Sequence, residues 1–442
     1  MKKVLVLIAA GVFVLGQTAF AEISNDDLLN EIRNLRQEMK KQEQRISELE
    51  EQLAGMPKTV ELSDMTIEDF DKHLDTHLLH RIGDYQLLGG LKMGAGSTFI
   101  IQGTDNANGS SLSDKGEDVT DASYSMYLTF EKEFEDYGKV FMGMETGDGA
   151  GVEDELQLFS NVNRDADDSD NSLCVAEAWH EHYFSAVPAA LRAGKIDPTA
   201  LIDNNDYAND ECSQFLGRMF RNSPVIEFPD NSAGLRLNIE PVDIMGVSLL
   251  VMDGDGDWED VADEIFFAGQ LNFKPGLFDR NGNYRLIGWL NDRDHTKWND
   301  SSKNQEKAYG IGISLDQELT DNLGMFARYG WQDPDVYLNG EEFSLEQAWS
   351  TGLRIAGSAW GREDDIVGIA VGQIMPSGEY KKSDSSRSAK DEGHFEAYYN
   401  YKVNDHLVLA PDLQVIWNPY GDDASNGNNT ITVMGLRGQL DF

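Results

Sequence analysis

The chain has 442 residues, 78 acidic against 36 basic, and a formal charge of −42, with a mean hydropathy of −0.45. Phosphate binding needs a basic footprint, so this balance excludes a nucleic-acid partner. A helical membrane protein is excluded too, because beyond the first residues no segment offers the ~20 consecutive apolar residues that a spanning helix needs; the length fits two or three ordinary domains or one large β architecture.

Lys2 and Lys3 precede an apolar stretch at 4–15, and Ala19-Phe20-Ala21 supplies a small-x-small cleavage pattern. This reads as a secretory signal peptide over 1–21. Removal of its two lysines takes the formal charge from −42 to −44. A heptad seam follows at 22–56: Leu28, Ile32, Leu35, Met39, Gln42, Ile46, Leu49 and Leu53 recur at alternating steps of four and three. That period predicts a short α-helical coiled coil, with Gln42 setting its register, and Gly55 and Pro57 end it. Residues 57–84 form a connector with one short helix, on which His73, His77 and His80 share a face, either as metal ligands or as a solvated surface.

From residue 85 to 442 the pattern changes to segments of 9 to 14 residues that alternate apolar and polar, such as "SMYLTFEKEF", "VSLLVM", "YGIGISLDQEL" and "LVLAPDLQVIWNP". About sixteen such segments are separated by gaps that are alternately short and long. This predicts an all-β fold, a transmembrane antiparallel β-barrel whose long loops share one end and whose termini share the other. The closing run "TVMGLRGQLDF" puts Thr432, Met434, Leu436, Leu440 and Phe442 on one side and Arg437, Gln439 and Asp441 on the other. One side suits lipid and the other suits water.

The same phase sends Tyr284, Tyr309, Tyr329, Trp331, Trp349, Tyr399, Tyr401 and Trp417 outward as an interfacial girdle. It sends Arg192, Arg236, Arg285, Arg328, Arg354 and Arg437 into the lumen, since an arginine facing hydrocarbon costs ~2–4 kcal/mol near the midplane. Glu131, Glu177, Glu240, Glu396, Asp412 and Asp441 are inward acids. These charges either meet permeants or pair with one another to brace the wall.

The longest gap, 198–231, is the candidate to fold inward and narrow the bore. It carries Asp203, Asp206, Asp210 and Glu211, Arg218 and Arg221, and the rings Tyr207, Phe215 and Phe220, groups that bind sugar hydroxyls and stack on sugar faces. Cys212 lies within it and Cys174 near a strand start, so the two either form a disulfide or remain thiols. In "DGDGDWEDVADE", Asp253, Asp255, Asp257 and Glu264 occupy calcium-loop positions, but Trp258 stands where the EF-hand needs glycine. A calcium site and a solvated acidic loop both fit; no other cofactor is implied. No nucleophile and base have local sequence support, so the chain is not read as an enzyme.

The stretches "AEAWHEHYF", "LRAGKIDP", "YANDECSQFLGRMFRNSP", "GLRIAGSAWGR" and "GLRGQLDF" resemble, in order and spacing, the carbohydrate-selective porins of the OprB type. The resemblance implies an outer-membrane barrel that admits sugars and other small solutes by diffusion, an internal loop at the constriction, and a terminal aromatic residue read by the barrel assembly machinery. On this chain Asn209, Asp210, Glu211, Gln214 and Phe215 match the loop motif, and Trp179 within "AEAWHEHYF" joins the substrate-binding candidates. The heptad seam is not part of that motif set. The expectation is a passive porin in the outer membrane of a Gram-negative bacterium, a homotrimer with its coiled coil in the periplasm. The alternatives are a cation-preferring general pore and a structural or adhesive barrel that tethers the cell wall through the coiled coil.

Overall fold

The computed structural model describes residues 90–109, 118–134, 137–166 and 172–442. The signal peptide, the heptad seam with the trimer and cell-wall contact expected of it, and the histidine face lie outside the described residues.

Seventeen strands form one sheet. They are β1 (Leu91–Asp105), β2 (Thr120–Glu133), β3 (Gly138–Asp148), β4 (Cys174–Phe184), β5 (Ala189–Ile196), β6 (Ser232–Val242), β7 (Met245–Asp253), β8 (Ile265–Phe273) and β9 (Gly282–Lys297), followed by β10 (Glu306–Thr320), β11 (Leu323–Gln332), β12 (Val336–Leu338), β13 (Leu345–Ala356), β14 (Ile366–Pro376), β15 (Glu392–Lys402), β16 (Leu407–Trp417) and β17 (Ile431–Asp441). Every pairing is antiparallel, and β17 returns to β1 with Gly96 opposite Asp441 and Asp105 opposite Thr432. Closure leaves no sheet edge, which a strand-built membrane protein requires. Sixteen strands make the barrel; β12 is a short piece of loop that pairs with the end of β9. Because Thr296 and Lys297 find partners there, β9 extends to Lys297.

Connections at one end are short, as at 185–188, 243–244 and 403–406. At the other end they are long: 106–119, 149–173, 197–231, 377–391 and 418–430. Alternation decides which side chains meet lipid. On β17, Met434 is 65% exposed and Phe442 beyond it 76%, while Arg437 is 2% exposed. Leu286, Ile311, Ile313 and Leu436 are likewise exposed on the outside, joined by Tyr309, Tyr329 and Tyr401 of the expected girdle. Gly393 lies opposite Trp417, whose indole covers the glycine so closely that any Cβ would collide with it.

Candidate functional site

Residues 197–231 cross the bore instead of standing on its rim. The segment brings Phe215, Met219 and Phe220, which need cover, to an inner wall that offers Phe326, Ala348, Ala370 and Tyr398. Phe215 lies 5.6 Å from the ring of Phe326 and meets Tyr398 edge-on at 5.0 Å. The shoulders of the loop, Ile202 and Ile226, join Leu250, Phe266 and Trp289 on β7 to β9. Burial of several such side chains, each worth ~1.5–3 kcal/mol, favours the inward position.

Wall charges then take the loop's main chain. Arg328 pairs with Asp203 at 3.0 Å and donates to the carbonyls of Asp203, Phe220 and Ala208 at 3.0, 2.6 and 2.6 Å. Glu396 accepts from the amides of Leu216 and Gly217 at 2.6 and 2.9 Å. The approach is close enough that a Cβ on Gly217 would stand 2.8 Å from Glu396 Oε2 and 2.9 Å from His394 Cε1. Arg437 donates to the carbonyls of Glu211 and Gln214 at 2.7 and 2.8 Å.

A second loop, 149–173, also turns in. Glu392 accepts from the amides of Phe159 and Ser160 at 2.9 and 3.0 Å, and Gln102 and Gln414 both donate to the Val162 carbonyl. The two loops are joined, Arg164 N–H to the Leu216 carbonyl at 2.8 Å and Arg218 N–H to Asn161 Oδ1 at 2.8 Å. Burial raises the pKa of Glu153, whose carboxylate accepts from Val162 and Asn163, to about 7. Burial and then the charge of Glu211 raise Asp165 to about 7 as well.

These contacts correct several expectations. Arg328 is 4% exposed, Glu396 0% and Arg437 2%, so they lie under the loop and hold it, out of contact with the open bore; Asp412, 7% exposed, is buried beside them and accepts from Gln414. Asp203 and Phe215 belong to the same seat. Trp179 is not an open sugar platform: it is 7% exposed, the Arg192 guanidinium lies 3.6 Å above its ring, and Phe141 stacks at 5.1 Å. Its indole N–H donates to Glu177 at 3.0 Å. Gly194 sits at φ +143°, with Trp179 Cα 2.7 Å from where a Cβ would stand, and this close approach of β5 to β4 brings Arg192 over the indole. Arg221 is taken by Glu211 and Asp197, and Gln214 staples its own loop through the amides of Asn209 and Asp210. Tyr207 packs against the loop's apolar cluster. Cys174 and Cys212 are free thiols rather than a disulfide; Cys212 donates to Asp165 at 3.3 Å. Asp253, Asp255 and Asp257 bring carboxylate oxygens within 4.8 Å of one another. Glu264 is outside that group and faces Arg293 at 3.8 Å.

Asp206, Asp210 and Arg218 stay exposed, and among the described residues no carboxylate lies within ion-pair distance of Arg218. Arg354 faces inward near the short-turn end of β13, half-buried. On the β4 to β6 wall, Glu181 Oε2 is shared by Arg192 at 3.0 Å and Arg236 at 3.9 Å. Glu181 is absent from the sequence-derived set although it follows Glu177 and Trp179 in phase. On the long-loop side of the crossing segment lies a space of about 900 Å³, with Arg218, Glu227, Arg293, Phe228 and Phe343 on its walls. On the short-turn side lies a space of about 600 Å³ against β6 to β9, roofed by Leu201, Asn204 and Asp206. Arg236 and Arg285 line it; the amides of Asn238, Gln270, Asn272 and Asn283 do so too, and these the sequence reading missed. Their signal was present, amide side chains on the inward phase of β6, β8 and β9.

A closed barrel with a lipid-facing exterior, a charged bore and two loops folded in from one end defines a diffusion channel of the outer membrane. The chain belongs to the carbohydrate-selective porin family OprB, whose family model matches residues 138–442. Pseudomonas putida OprB has a similar structure, with a TM-score of 0.68 at 15% identity, covering 84% of this chain and 97% of that one. The outer-membrane channel DcaP of Acinetobacter baumannii is similar at a TM-score of 0.51 and 13% identity, covering 80% of this chain and 97% of its own. An uncharacterized protein of Aquifex aeolicus is 25% identical over 254 residues, 58% of this chain and 65% of that protein, so the match spans under two thirds of the relative's length. The chain is therefore an outer-membrane porin for small solutes.

Proposed function

We propose that the solutes are neutral carbohydrates, which pass by diffusion, and that Arg192, Arg236, Asp206 and Arg218 are the groups they meet, with Glu181 behind the two wall arginines as their shared acceptor. What supports this reading is the balance of the inner wall in a chain of formal charge −42. Two guanidiniums share Glu181, so the bore offers donor forks beside acceptors without the excess of acid found elsewhere. Vicinal hydroxyls both donate and accept, and such a wall matches them better than it matches a simple ion.

Single-channel conductance of the refolded porin in planar bilayers, with and without glucose across a salt gradient, tests the reading. Saturable reduction of an ohmic current by glucose is the expected result. A current indifferent to sugar, with a reversal potential favouring cations, would favour the general cation pore; the acidic group at Asp253, Asp255 and Asp257 is the feature that supports that alternative, with or without bound calcium.

A further inference from the structure

The space beneath residues 201–206 has the properties of a site in its own right. It is built by strand alternation: β6 contributes Arg236 and Asn238, β7 Ser248, β8 Gln270 and Asn272, and β9 Asn283 and Arg285. Much of this polar lining is already satisfied. Arg236 Nη2 donates to Ser248 at 2.9 Å and to Asn238 at 3.1 Å, Asn272 donates to Asn283 at 3.1 Å, and Arg285 pairs with Asp316 at 2.5 Å.

Three buried atoms on this lining have no protein partner: Arg236 Nε, Arg285 Nε and Asn272 Oδ1. Arg285 is only 3% exposed. A buried polar atom left unmatched costs about 1–3 kcal/mol, so the side chains that carry these three gain by turning them toward polar matter in the space. Two are donors and one is an acceptor, the mixture that hydroxyl groups satisfy.

Charge narrows the class. Asp316 neutralises Arg285, Lys274 lies 3.4 Å from Glu240, and Arg236 and Asp206 contribute one charge of each sign to the lining. The lining is close to neutral overall, which disfavours a phosphate or a polycation. Leu201 is its one large apolar side chain and no ring faces it, so a sugar's flat face finds no stacking surface here and hydroxyl positions decide the fit.

We propose that this chamber is a second saccharide station, on the periplasmic side of the constriction, that holds one neutral monosaccharide through its hydroxyls. The proposal rests on the carbohydrate reading above. Arg236 links it to the wall group, with one end 3.9 Å from Glu181 and the other in the chamber, so a sugar leaving the constriction passes from one arginine partner to the next without full rehydration.

The test is sugar-induced current noise with glucose added to the periplasmic face of the oriented porin, alongside glucose uptake in swelling liposomes. Asn272→Leu removes the free acceptor and fills part of the chamber. It is expected to raise the half-saturation concentration about three- to tenfold, the loss of one or two hydrogen bonds, with uptake retained. Asn272→Asp keeps the acceptor and adds a negative charge, and is expected to shift preference from glucose toward glucosamine. Heat-modifiable migration on gels reports whether each variant is folded. Unaltered half-saturation and preference in both folded variants would overturn the second station and leave the carbohydrate reading standing. Stronger binding of glucuronate than of glucose by the native porin would overturn the neutral assignment. Absence of glucose uptake by the native porin would overturn the carbohydrate reading and the station with it.

Discussion

Two stretches of the inner wall carry the same kinds of residue and use them differently. From β10 to β17, arginines and carboxylates point inward into the crossing loop: Arg328, Glu396 and Arg437 are almost completely buried, and their partners are loop main-chain atoms and Asp203. From β4 to β9, Arg192, Arg236, Glu240 and Lys274 pair with wall side chains instead of with the loop, and keep part of their surface open. The difference comes from where the loop's rings find cover: Phe215 and Phe220 lie on the Phe326 and Tyr398 side, while the shoulders Ile202 and Ile226 reach β7 to β9. Inward charge becomes structure where the loop lies on it and remains available to solutes where it does not.

Breaking the covered side should have the largest effect. Arg328→Met leaves Asp203 buried without its partner and frees three carbonyls, a loss of about 3–5 kcal/mol, and thermal unfolding together with a rise in single-channel conductance would register the release of the loop. Glu396→Ala removes the acceptor for two amides and should cost about 1–3 kcal/mol, seen as more frequent gating between conductance levels. Unaltered unfolding temperatures in both variants would mean that the loop is held by its apolar contacts alone.

The long loop 149–173 sharpens the comparison through pH. Glu153 and Asp165 have folded pKa values of about 7, raised above those of free carboxyls. A raised acid binds its proton more tightly in the folded protein, so its contribution is complete below the unfolded value and is lost as pH rises through about 7. Loop noise should therefore increase between pH 6 and pH 8, and Asp165→Asn, which resembles the protonated form, should weaken that increase. On the open side the effects on stability should be smallest. Arg236→Gln is expected to move unfolding by under about 1 kcal/mol while altering the glucose dependence of the current, a separation that no variant beneath the loop should show.

Much of the barrel was legible because a strand repeats every two residues: Met434 and Arg437 are placed on opposite faces by parity alone, and the alternation of loop lengths orders the ends. Parity could not distinguish Arg328 from Arg236, since both point inward and only the path of a loop more than a hundred residues away from Arg328 separates them. Phe215 looked like a sugar-stacking ring by composition and is core because Phe326 and Tyr398 await it. Trp179 was misread for a related reason. Its cover, Arg192, comes from the neighbouring strand in a register set partly by Gly194, and a one-dimensional reading of "AEAWHEHYF" does not contain it.

The loop is gripped largely by its backbone. Arg328 and Arg437 bind carbonyls, Glu396 binds amides, and Asn400 donates to the Ser213 carbonyl at 2.6 Å. Carbonyls and amides are supplied by any residue, so side chains such as Asp206 and Arg218 can be exchanged by mutation while the seat is kept. Evolution can in this way retune what the channel admits, one solute-facing residue at a time, without rebuilding the gate.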